Sequence, residues 1–186
     1  MAEAPRLSPL ARLGLAAQVG DADAPVRLGW TAPTGMVVVR GDPPADLALP
    51  TAPNTVSGEN PRAFWLGPDE WLLVGDVDVA EVRAAGAVAV DVSHARAVIT
   101  VAGDFAADLL SKACSLDFDD SVFPAGSCAQ SKVALTSALL YRSDADRFEI
   151  FVARSYAAYL WQWLADAAAE FGYAVAGLDQ SGGSSG

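Results

Sequence analysis

The stretch Arg62–Gly75, RAFWLGPDEWLLVG, sets two tryptophans around a Gly-Pro-Asp-Glu turn. Apolar runs on both sides of a turn rich in Gly, Pro and Asp are the pattern of a β-hairpin. With Gly67 to Glu70 as a four-residue loop, Leu66 pairs with Trp71 and Trp65 with Leu72. Side chains alternate between the two faces of a strand. This reading sends Trp65 and Trp71 to opposite sides, one into the core and one towards a second layer, a loop or a partner. The stretch carries no nucleophile, base or ligand cluster.

Upstream, GMVVVRGDP places a strand over Met36–Arg40. The proline-rich segment from Pro43 to Pro61 reads as a long loop, and loops of that length often have an interaction role. Residues 1–34, rich in Ala, Pro and Gly, read as an N-terminal arm. Downstream, DVDVAEVRAAG is a short helix that begins with Asp and ends at Gly86. AVAVDVSHARAVITVAG gives two strand-like runs. GDFAADLLSKACSLDF is a second helix, with Asp104 as N-cap and Phe105, Leu109 and Leu110 on one face. KVALTSALLYR and RFEIFVAR form a hairpin around SDAD.

A last helix starts after Ser155. Its core stripe reads as Tyr156, Tyr159, Leu160, Trp163, Leu164, Ala167 and Phe171. Trp161 then lies about 140° from Tyr156, at 100° per residue, among Ala157, Ala158, Ala165 and Ala169. That smooth alanine face with one indole is either a half-buried flank or a partner surface. The order of elements is α+β, antiparallel hairpins packed with helices. Helix, strands and helix recur twice, which hints at a pseudo-repeat. Residues 35–176 read as a single domain, of one lobe or two sub-lobes, and 177–186 as a flexible tail.

The chain has 186 residues, 52% of them hydrophobic and 19% charged, with a mean hydropathy of +0.27. That supports a large core and leaves few charges to cover a surface. Twelve basic and 23 acidic residues give a net charge of −11, a field that repels nucleic acid and anionic lipid. Arg6 and Arg12 interrupt the first residues, so they do not read as a signal peptide, and a cytoplasmic chain is expected. Cys114 and Cys128 read as buried free thiols.

A search for reactive groups finds little. The single histidine, His94, follows Asp91 and Ser93 in VDVSHARA. On an extended chain His94 projects away from the other two, which argues against a triad. One His and two distant Cys make no zinc site. Asp117, Asp119 and Asp120 read as a solvated loop, and no phosphate-loop or dinucleotide motif is present. No catalytic, cofactor-binding or metal-ligating residue is assigned to the chain.

Five segments in order resemble a known family: RGDPPADLALP…PNT, WLGPDEWLLV, VDVSHARAVITVAGDFAADLLSKACSLDF, FPAGSCAQSKVAL and RFEIFVARSYAAYLWQWL. Their combination is similar to the gamma subunit of heterotetrameric sarcosine oxidase. DVSHARAVITVAG is also similar to the folate-binding aminomethyltransferases, whose fold the resemblance implies. It further implies a non-catalytic structural and assembly subunit, with alpha, beta and delta subunits as partners. In such a complex sarcosine is oxidatively demethylated to glycine, hydrogen peroxide and methylenetetrahydrofolate. FAD, FMN, NAD, tetrahydrofolate and zinc are implied for the complex and none for this chain. A stand-alone folate-binding or one-carbon transfer protein on the same fold is the alternative. The interface residues expected are Trp65, Trp71 and Trp161, with the Pro43–Pro61 segment.

Overall fold

The computed structural model describes residues 23–31, 35–41, 47, 49–84 and 86–176. Most of the predicted N-terminal arm and the 177–186 tail lie outside the described residues. Eleven strands and three helices are described: β1 (Val26–Thr31), β2 (Met36–Arg40), β3 (Val56–Ser57), β4 (Arg62–Gly67), β5 (Glu70–Val74), α1 (Val79–Ala84), β6 (Val88–Asp91), β7 (Arg96–Ala102), α2 (Ala106–Ala113), β8 (Cys128–Val133), β9 (Thr136–Asp144), β10 (Arg147–Ala153), α3 (Ala157–Ala168) and β11 (Tyr173–Val175). They build two sheets, in the orders β11-β1-β7-β10-β9-β8 and β3-β4-β5-β2-β6. Only the β1–β11 pair is parallel. The α+β class read from the sequence is the one observed.

Alternation along the strands sets the layers. In the six-stranded sheet one face carries Leu28, Ile99, Leu140, Phe148 and Ile150 against α2 and α3. The other face presents Val98, Cys128, Leu139 and Phe151 to Met36, Phe64, Leu72 and Val74 of the five-stranded sheet. The outer face of that second sheet buries Val37, Val39, Ala63 and Leu73 under Val82 of α1, with Leu47 and Leu49 packed alongside. Arg62 joins the two sheets, donating to both carboxylate oxygens of Glu149 at 3.3 and 3.2 Å. Its guanidinium also stands 5.2 Å over the Tyr141 ring.

Several expectations are corrected. Val26–Thr31, read as part of an arm, is a strand in the middle of the larger sheet, paired with β7 and β11. The disguise is Gly29: a Cβ there would meet Thr100 Oγ1 at 2.6 Å, so the tight strand approach requires a residue that weakens the strand pattern. The run KVALTSALLYR is not one strand but parts of β8 and β9 joined through Ala134 and Leu135. Ala134 takes φ 52°, and its N–H donates to the Ala113 carbonyl at 2.7 Å. The sequence offers no Gly, Asn or Asp to announce that turn. Asp104 does not cap α2, which has Phe105 in the N-cap position and no side-chain cap bond. Asp78 does cap α1, accepting from the Ala80 and Glu81 N–H groups at 2.8 and 3.2 Å.

Candidate interaction surface

The hairpin of the opening stretch closes more tightly than its sequence suggested. Gly67 pairs with Glu70, so Pro68 and Asp69 alone form the turn, with Asp69 at φ 55°. The ladder slips between Trp65 and Gly67, and this bulge brings Trp65 directly opposite Trp71. Residues directly opposite in an antiparallel pair share a face. The expectation that the two indoles point to opposite sides is therefore wrong by one residue of register. Both lie on the outer face of the smaller sheet, with Ala63 and Leu73.

Trp71 is 7% exposed, and its indole N–H donates to the Pro50 carbonyl at 2.8 Å. It is a core residue under the proline-rich segment, not a free anchor. Trp65 is half-buried and keeps part of its indole accessible. In the described part of the Pro43–Pro61 segment, Pro50 is buried, Leu49 packs on the outer face and β3 pairs with β4, while residues 51–54 and 58–60 are exposed.

Trp161 is 2% exposed and meets Trp30 edge to face with ring centroids 5.3 Å apart. The buried side of α3 is Ala157, Leu160, Trp161, Leu164 and Ala168. Tyr156 and Tyr159, expected in the core, are exposed. Of the alanines beside it, Ala157 is buried, Ala158 and Ala165 are half-buried and Ala169 is exposed, so the half-buried flank is the one of the two readings that the structure shows. Trp161 is withdrawn from the interface. Of the three tryptophans, Trp65 alone remains accessible.

The other sequence candidates are placed as follows. His94 is exposed in the turn between β6 and β7. Ser93 Oγ accepts from the Met36 N–H at 2.9 Å, and the Ser93 N–H donates to Asp91 at 2.8 Å, so both hold that turn together. Asp119 accepts from the Ser121 N–H and hydroxyl at 2.9 and 2.5 Å, bonds that hold its carboxyl below the usual carboxylate range. Among the described residues no group of three His, Cys, Asp or Glu side chains is arranged to hold a metal ion. No helix among them is long and apolar enough to cross a membrane.

Both cysteines are free and buried. Burial pushes the Cys128 thiol up to about 11. The unfolded thiol ionises near 8.5, so above that pH the unfolded chain releases a proton that the folded chain keeps. The stability this thiol contributes is present below about 8.5 and is lost as pH rises towards 11. The stability gap between the native chain and Cys128→Ala should narrow over that window in urea denaturation. Native chain should also resist iodoacetamide at pH 8. Rapid native alkylation of Cys128, or a gap that widens with pH, contradicts this.

Three features were not legible beforehand: the buried Arg142 under the 118–126 loop, the cleft beside Arg96, and the exposed valines of β6. Val88 and Val90 are 61% and 49% exposed. They lie on β6, the strand that ends the smaller sheet, and pair with Arg40 and Val38 of β2. They share the face that meets the larger sheet but lie where nothing described covers them.

Comparison with known proteins follows the same lines as this geometry. Residues 42–170 match the sarcosine oxidase gamma subunit family. Sarcosine oxidase subunit gamma of Corynebacterium sp. (strain U-96) is 30% identical over 134 residues, 67% of this chain and 65% of that relative. The subunit gamma of Corynebacterium sp. (strain P-1) is 32% identical over 133 residues, 66% of this chain and 65% of the relative. The chain thus spans about 65% of the length of the curated relatives it matches. Among solved structures, the heterotetrameric sarcosine oxidase from Corynebacterium sp. U-96 in complex with pyrrole 2-carboxylate holds a chain that matches with a TM-score of 0.80. That match has 26% identity and covers 89% of this chain and 95% of that one. Aminomethyltransferase T of the glycine cleavage system from Bartonella henselae shares the fold, at TM-score 0.64, 16% identity and coverage of 90% and 58%. By the family match over residues 42–170, this chain belongs to the sarcosine oxidase gamma subunit family.

Proposed function

We propose that the chain is a structural and assembly subunit of a heterotetrameric sarcosine oxidase, working in the cytoplasm beside alpha, beta and delta subunits. The observation that carries this reading is the structural match to a chain of such an oxidase, across 95% of that chain. The role fits a molecule in which Asp91 and Ser93 hold a turn, His94 is exposed beside them and both cysteines are buried. FAD, FMN, NAD, tetrahydrofolate and zinc would then sit on the other subunits, and the oxidation of sarcosine would occur there. The stand-alone folate-binding alternative rests on a 16% identical structure that speaks for the fold alone.

Trp65 is the anchor this reading favours. It is a half-buried indole on a rigid two-residue hairpin, and interface hot spots are enriched in Trp. Its truncation should be felt in assembly. Trp65→Ala is expected to weaken association with the flavin-bearing chains by about 2 kcal/mol or more, about 30-fold in Kd. Co-expression followed by size exclusion and flavin absorbance reads the loss. An unchanged complex with a destabilised free chain would make Trp65 a folding residue only.

A further inference from the structure

Beyond assembly, the molecule carries a cleft of about 590 Å³, within the size range of small-molecule sites. It lies on the larger sheet's inner face, past the end of the smaller sheet's cover. Register explains its lining. Arg96 pairs with Ala153, Gln130 with Leu139, and Lys132 with Ser137, so each pair shares a face. Leu139, Ala153 and Val92 supply apolar lining, and Arg96, Lys132 and Ser137 line the same cleft. Gln130 donates to the Leu66 carbonyl at 2.5 Å and ties the cleft to the β4–β5 hairpin.

The charge arrangement is unusual for a chain of net charge −11. Two cations and no carboxylate line the cleft. Arg96 is half-buried, and its burial disfavours the charged form, opposed by the charge of Glu70. Glu70 is already bonded to Arg40 at 2.8 Å. Among the described residues, neither the Arg96 nor the Lys132 side chain makes a hydrogen bond or ion pair. A guanidinium stays charged at any working pH, so its partial desolvation is a cost that the charge of Glu70 opposes without a direct bond to it. A carboxylate matches its fork of donors.

We propose that this cleft binds a small organic carboxylate, its charge held by Arg96 and Lys132 and its apolar body resting on Leu139 and Ala153. The site is a property of the chain itself and stands or falls separately from the assembly role.

Benzoate is a suitable probe, titrated by calorimetry and thermal shift against the full-length chain at constant ionic strength. Saturable benzoate binding is expected, with a melting point that climbs with ligand concentration. Neutral benzamide of the same shape should not bind. Arg96→Met should weaken benzoate at least about tenfold while raising the melting point of the ligand-free chain, because a partly desolvated charge with no direct partner is removed. Arg96→Lys should recover only part of the affinity. Equal affinity for benzamide, unchanged binding in Arg96→Met, or no saturable benzoate binding overturns the site. A second arm repeats the titration on the complex co-purified with flavin-bearing chains. Retained binding there supports a free ligand; binding lost on assembly assigns the carboxylate to a partner's side chain and overturns the small-molecule site.

Discussion

Trp161→Ala is expected to lower the stability of the chain by about 3–5 kcal/mol, the usual cost of emptying a buried indole site. The residue is 2% exposed and sits among Leu160, Leu164 and the Trp30 ring. Edge-to-face aromatic pairs add about 0.5–1.5 kcal/mol beyond their buried area. Among the described residues the Trp30 indole N–H has no hydrogen-bond partner, so packing holds this ring. At about 2–4 °C per kcal/mol for a domain of this size, the melting point should fall by roughly 6–20 °C. Trp161→Asp should leave no folded chain, since a lone carboxylate would sit in that pocket. Thermal denaturation followed by circular dichroism measures both. A loss under about 1 kcal/mol on truncation would restore Trp161 as a surface anchor.

Arg142 should prove comparably sensitive, for a different reason. It is 5% exposed, yet its guanidinium serves four backbone carbonyls. Nη1 donates to Phe118 and Phe123 at 3.1 and 2.9 Å, Nη2 to Ala145, and Nε to Asp144 at 3.4 Å. The group also stands 5.2 Å over the Phe148 ring and pairs with Asp120 at the rim. It pins the irregular 118–126 stretch to the turn between β9 and β10. Arg142→Ala strands those carbonyls, at about 1–3 kcal/mol for each buried group left unsatisfied. A total of about 3 kcal/mol or more is expected, with increased hydrogen exchange confined to 118–126. Asp120→Asn should cost under about 1 kcal/mol, because Asp120 is mostly exposed. Equal losses from the two variants would mean that the ion pair, and not the carbonyl cluster, fixes the loop.

How far the sequence disclosed this molecule can be judged residue by residue. The strand over Met36–Arg40, the helix begun by Asp78 and the second hairpin follow from local signals, since alternation and capping act within a few residues. The family resemblance and the α+β class were legible from motif order. What failed depended on contacts across the chain. Gly29 reads as a strand breaker until Thr100 is seen against it. The left-handed Ala134 is held by the Ala113 carbonyl, not by a turn residue. A bulge of one residue put Trp65 and Trp71 on one face, and packing against Trp30 buried Trp161 of α3. The cleft beside Arg96 draws on four strands and the turn at Val92, so no local window could contain it.

These corrections sharpen the account of assembly. Two of the three tryptophans expected at an interface are spent on the core, which leaves Trp65 of the three, and the exposed valines of β6 add apolar surface that a partner would cover. The most direct measurement is native mass spectrometry of this chain co-expressed with the flavin-bearing chains of a sarcosine oxidase. The account predicts one copy of this chain in each flavin-containing assembly, and no stable oxidase when it is omitted. A complete, active oxidase forming without it, with this chain eluting alone, would contradict that account.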